Sequence, residues 1–176
     1  MFARLSSARK LGLRMLALAG VLAATACAPV STNMTGPRID TDRPVPVALL
    51  VPSGSGQSGD DLMADSLEKA ARLAMADLAG VEIDLRVYPT AGNAQQAASQ
   101  AALAVDEGAR IILGPVYGEA ANAAGIAVRG RNINVLSFSN NTTIAGGNVF
   151  VLGPTFANTA DRMAFFAAAQ GRRNIV

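Results

Sequence analysis

Residues 45–78 read VPVALLVPSGSGQSGDDLMADSLEKAARLAMADL, and the fold follows from how this stretch is divided. Val45 to Val51 is a short aliphatic run with the length and composition of a buried strand. Asp60 or Asp61 is placed to cap a helix that follows. Met63, Leu67, Ala70, Ala71, Ala74 and Leu78 then recur at helical spacing, and Gly80 stops the run. Strand, glycine-rich turn and helix in that order make one βα unit. The unit raises a chemical question, because Gly54, Gly56 and Gly59 form a G-x-G-x-x-G pattern.

The same alternation continues along the chain. Val81 to Tyr88 has period two, with Val81, Ile83, Leu85 and Val87 against Glu82, Asp84 and Arg86. This describes a strand with a more polar face, near a sheet edge. Asn93 is placed to cap an Ala- and Gln-rich helix ending near Glu107 and Gly108. Arg110 to Leu113 is a third strand, residues 119–129 a helix, Ile133 to Phe138 a fourth strand and Asn148 to Leu152 a fifth. Phe156 to Gln170 is a further helix, and Asn174 to Val176 has the look of a strand beginning. Repeated strand–helix units with short apolar strands predict an α/β fold, a parallel sheet with helices on both faces. Ligands of such sheets sit outside the carboxyl ends of the strands. That places loops 52–60, 89–93, 114–119 and 139–146 on one rim. A chain that stops as a strand starts is expected to be the amino-terminal portion of a longer protein.

The glycine turn has the local setting of a dinucleotide site but not its chemistry. Pro52 and Ser53 spread the turn, and Asp60 and Asp61 occupy the helix start, where a pyrophosphate would have to sit. Carboxylates there satisfy the helix dipole and repel an anion. The second strand ends RVYPT, without an acid for a ribose. No Gly-Lys-Ser/Thr follows the turn, so a P-loop is excluded. Two readings remain: a βα loop whose glycines only permit tight turns, or a loop whose Ser53 and Ser55 hydroxyls and amides serve a small ligand.

The chain has 176 residues, 51% of them apolar and 16% charged, enough to bury one core. It contains no His and no Trp, which removes the commonest general base and metal ligand. No nucleophile elbow or paired-cysteine zinc motif occurs. The expectation is therefore a non-enzyme with no cofactor and no metal. Arg4, Arg9, Lys10 and Arg14 precede the apolar run Met15 to Ala26, which is shorter than the roughly 20 residues of a spanning helix and suits a signal peptide, residues 1–26. Removing those four cations leaves 11 Lys and Arg against 13 Asp and Glu, a net charge of −2, with no basic patch for nucleic acid.

Cys27 is the single cysteine, so no intrachain disulfide can form. It is either an incidental thiol or the acceptor of a diacylglycerol. The stretch Ala24-Thr25-Ala26-Cys27 resembles a bacterial lipobox, with Ala24 standing where lipoboxes usually carry Leu. That resemblance implies lipidation at Cys27 and a membrane anchor. Ala28, where an Asp would signal inner-membrane retention, implies the inner leaflet of the outer membrane. Residues 27–44, rich in Pro, Thr and Asp, read as a flexible tether.

The stretches VPVALLVPSGSGQSGDDLMADSLEKAARLAMADL, GARIILGPVYGEAANAAGIAVRGRNINVLSFSNN and NVFVLGPTFANTADRMAFFAAAQGRRNIV resemble the type 1 periplasmic-binding-protein fold of the leucine-binding class. Within it they look most like the penicillin-binding-protein activator lipoproteins. The resemblance covers about residues 45–176 and implies two lobes, with ligand held between them. Residues 45–154 would form the first lobe, and 155–176 the crossover and the start of the second. It also implies a ligand site built from Tyr117, Gly118, Glu119, Ser137, Ser139 and Asn140 beside Ser53 and Ser55. The hydroxyl residue that grips a ligand carboxylate in amino-acid-binding members falls at Gly118, and SFSNN replaces the usual Ala and Thr. Free amino-acid binding is thereby put in question. The resemblance implies a regulator that touches a peptidoglycan synthase or glycan. The alternative is a solute-binding protein serving an ABC permease with a small-molecule ligand. Residue by residue, other readings stay open: Ser137 ending a strand, Asn140 and Asn141 forming turns, Tyr117 packing between lobes.

Overall fold

The computed structural model describes residues 39–172. The signal peptide, Cys27, most of the tether and the strand expected at 174–176 lie outside the described residues. Among the described residues, five strands and four α-helices follow in the order β1 (Val45–Val51), α1 (Ser58–Ala76), β2 (Ile83–Pro89), α2 (Ala94–Asp106), β3 (Ile111–Leu113), α3 (Gly118–Ala127), β4 (Asn134–Ser137), β5 (Val149–Val151) and α4 (Phe156–Ala169). A short 3-10 turn, Thr142–Ile144, breaks the loop between β4 and β5. The sheet is parallel throughout, in the order β2-β1-β3-β4-β5. The predicted α/β class, the parallel sheet and the edge position of β2 are all found.

Alternation along β1 explains the layering. Ala48 and Leu50 face one side, in a cluster with Ala101 and Ala104 of α2, Ala124 of α3, and Ile112 and Val135. Leu49 and Val51 face the other side, with Ala64, Leu67 and Ala71 of α1. Helices therefore cover both faces. The many alanines have a packing role: Ala97, Ala101, Ala104, Ala120, Ala121 and Ala124 are all at most 1% exposed, and small side chains let α2 and α3 approach closely. Gly125 allows the same closeness to β5, since a Cβ there would collide with Val149 Cγ2. The Asn148 side-chain amide closes that corner by donating to Gly125 O at 3.0 Å and Ile133 O at 3.2 Å.

The caps differ from expectation in one place. Asn93 does cap α2, accepting from Gln96 N at 2.8 Å. At α1, however, the N-cap is Gln57 in extended geometry, without a side-chain bond. The helix starts earlier than its apolar period does, so Asp60 and Asp61 fall inside the first turn and are not its cap.

Candidate functional site

β1 and β3 are neighbours, but the chain leaves β1 for α1 and leaves β3 for α3, on opposite faces. The loops beyond their carboxyl ends diverge there, which opens a crevice at a topological switch point. Loop 52–57 is tied to the turn after β2. Thr90 N and Thr90 Oγ1 both donate to Val51 O, at 2.8 and 2.9 Å, and Ala91 N donates to Ser53 O at 3.0 Å. The glycine loop turns inward on itself. Gly54 N donates to Asp61 Oδ1 at 3.2 Å and Gln57 N to Ser55 Oγ at 3.1 Å, with Gly54 and Gly56 at positive φ.

Asp60 is 7% exposed. The Tyr117 hydroxyl, 57 residues away in sequence, donates to its Oδ1. That bond, followed by one from Ser55, holds the Asp60 carboxyl below the usual aspartate range. The same bond, followed by burial, raises the Tyr117 phenol above its ordinary value. Gly92 lies under the pair: a Cβ built there would stand 3.2 Å from Asp60 Oδ2 and 3.3 Å from Tyr117 Cε2. Gly92 also has φ +65°, and Ala91 beside it +48°.

Two cavities meet at Tyr117. One, of about 520 Å³, is lined by Ser55, Gln57, Asp60, Gly92 and Asn93 and by the start of α3 at Gly118 and Glu119. The other, of about 410 Å³, is lined by Val116, Phe138, Asn140 and Pro154. Tyr117 belongs to both linings.

The site residues expected from sequence thus fall into three groups. Ser55, Tyr117, Gly118 and Glu119 share the larger cavity, and Asn140 lies in the smaller one. Ser137 and Ser139 are buried and engaged. Ser137 Oγ donates to Pro115 O at 2.9 Å and accepts from Ser139 N at 3.0 Å, and Ser139 Oγ accepts from Asn141 N at 3.1 Å. Ser53 is half-buried and contributes its carbonyl to the turn after β2. Gly118 approaches the loop after β4, where a Cβ would stand 3.5 Å from both Ser139 Oγ and Asn141 Nδ2. Sequence reasoning missed Asp60 as a rim group and Gly92 as its seat. The only signal was PTAGN, which reads equally well as any turn.

Comparison with known proteins gives a consistent result. The profile of the family described as "Periplasmic binding protein" matches residues 44–176. Among solved structures, the chain is similar to the leucine-binding protein LivK of Thermotoga maritima, with 23% identity over 72% of this chain and 37% of that one, at a TM-score of 0.57. It is also similar to a solute-binding protein of an ABC transporter from Rhodopseudomonas palustris, in complex with 3,4-dihydroxybenzoic acid, with 20% identity over 72% of this chain and 36% of that one, at a TM-score of 0.58. The chain spans a little over a third of the length of each of these structures. No curated protein matches it.

Proposed function

The chain belongs to the periplasmic-binding-protein family, and we propose that it is an exported binding protein, lipid-anchored at Cys27, that regulates peptidoglycan synthesis in the manner of the penicillin-binding-protein activators. In this reading residues 1–26 are removed, residues 27–44 tether the fold to the outer membrane, and residues 45–154 form a first lobe. Residues 155–176 lead into a second. The partner is a peptidoglycan synthase or its glycan, and the rim recognises without catalysing a reaction.

The observation that carries this reading is the state of the rim. Position 118 offers no hydroxyl, Ser137 donates its own to the Pro115 carbonyl, Ser139 Oγ is buried and accepts from Asn141 N, and the buried carboxylate of Asp60 lines the larger cavity. A free amino acid would bring its own carboxylate to a lining that already holds the carboxylates of Asp60 and Glu119. A ligand or partner surface with few anionic groups suits this rim better.

The second reading is solute delivery to an ABC permease. The cavity of about 520 Å³ favours it, since its size lies within the range of small-molecule sites, about 300–1,000 Å³. Two measurements on the full chain separate the readings. Calorimetric titration with leucine and with 3,4-dihydroxybenzoate tests transport. Direct binding to a purified bifunctional penicillin-binding protein, scored by change in its glycan polymerisation rate, tests regulation. Saturable binding of either small molecule, with no effect on the synthase, would move the assignment to transport.

A further inference from the structure

The rim is divided, and one side chain divides it. Tyr117 lines both cavities, the larger together with Ser55 and Gln57 and the smaller together with Asn140. The ring stands across the crevice because its hydroxyl reaches Asp60 in the first turn of α1 and its edge rests against Gly92. The two partners differ in exposure: Tyr117 is 39% exposed, whereas Asp60 is 7% exposed.

The two partners therefore stand to lose different things if the bond opens. Tyr117 can turn toward water, which satisfies its hydroxyl. Asp60 stays behind as a buried carboxylate that has lost its phenol donor. An ionised group left short of donors in such a place is costly. Opening is then favourable only when the incoming group replaces the phenol with a donor of its own. A carboxylate cannot do that and is repelled by Asp60 and by Glu119 in the same lining. An ammonium or guanidinium group donates and also neutralises the charge.

We propose that Tyr117 is the gate of this rim, and that it yields to ligands or partner side chains that present a cationic donor to Asp60, joining the two cavities into one site. The proposal rests on the reading of the rim as a recognition surface and names the chemistry it selects. It implies that a lysine-like or amino-sugar group, not an acid, is the anchor that opens it.

The test uses the full chain labelled with 3-fluorotyrosine. Only two tyrosines exist, Tyr88 and Tyr117, so fluorine NMR gives two signals, assigned with Tyr88→Phe. The probes are n-butylammonium and butyrate at matched ionic strength. Butylammonium is expected to move the Tyr117 signal saturably while the Tyr88 signal stays, with about tenfold weaker response to butyrate. Asp60→Asn should abolish the response, and a folded Asp60→Asn protein is verified by its unmoved Tyr88 signal. An equal or larger shift with butyrate, a response that survives in Asp60→Asn, or a Tyr117 signal that neither probe moves would each overturn the gate. No synthase or permease takes part. A gated Tyr117 without synthase binding removes the regulatory reading alone, and synthase binding with an unmoved Tyr117 removes the gate alone.

Discussion

Replacing Gly92 by Ala tests whether the Tyr117–Asp60 pair is seated as tightly as the geometry shows. Two costs contribute. The backbone cost arises because Gly92 has φ +65°. A Cβ in the left-handed region costs roughly 1–2 kcal/mol, offset by about 0.4–1 kcal/mol from the stiffer unfolded chain. The contact cost arises because the new methyl would stand 3.2 Å from Asp60 Oδ2 and 3.3 Å from Tyr117 Cε2. Overpacking of that kind costs on the order of 1 kcal/mol or more. Gly54→Ala is the internal control: its φ is +86°, and nothing lies within 4 Å of its added Cβ. Both variants should lose the backbone term, and Gly92→Ala should lose about 1 kcal/mol beyond it. Urea unfolding midpoints at constant slope give both values. In the background of Tyr117→Ala the excess should shrink, which a double-mutant cycle reads directly. Equal losses for the two glycines, or an excess unaffected by Tyr117→Ala, would refute the seating argument.

Ala91 already carries a Cβ at φ +48°, so Ala91→Gly should stabilise by about 0.5 kcal/mol on the same reasoning, read as a higher urea midpoint. Leu49 is fully buried between α1 and the sheet, and Leu49→Ala should cost about 2–5 kcal/mol. Asp60, whose folded pKa lies below its ordinary value of 3.8, contributes stability above that value and loses it as pH falls through the lower, folded one. The stability difference between the parent and Asp60→Asn should therefore narrow on acidification below 3.8, as measured by urea midpoints across pH.

The elements were legible where local chemistry is sufficient. Asn93 announces α2 because an Asn before an Ala-rich run has one good use, and its carboxamide does accept from Gln96 N. β1 announces itself by composition, since a strand buried on both faces needs aliphatic residues at odd and even positions alike. The start of α1 was misplaced because a carboxylate just before an apolar period imitates a cap. The three residues that open the helix, Ser58, Gly59 and Asp60, carry no apolar signal. The site was less legible than the fold for a related reason. The role of Asp60 is set by a hydroxyl 57 residues away, and no spacing rule connects the two. The hydroxyls of Ser137 and Ser139 looked available because sequence cannot show that the Pro115 carbonyl and the amides of Ser139 and Asn141 would engage them.

The sheet order accounts for the latch. Because β3 lies against β1 and not against β2, the loop carrying Tyr117 rises next to the loop that enters α1, while their helices depart to opposite faces. A side chain at position 117 must therefore cross the crevice to find any partner on the first βα unit, and only a long one with a terminal donor reaches a carboxylate in the first turn of α1. Phe at this position could fill the same space but would leave Asp60 without its phenol donor. A short residue would leave the two cavities continuous. The glycine turn serves this arrangement instead of a phosphate. Gly54 gives its amide to Asp61, which pins the loop back against α1, while Tyr117 gives its hydroxyl to Asp60. The first helical turn is thus filled with anionic charge already engaged from within the fold. A pyrophosphate would have to displace these bonds and then meet two carboxylates, so the turn that most resembles a nucleotide cradle is the part of the rim least able to hold one.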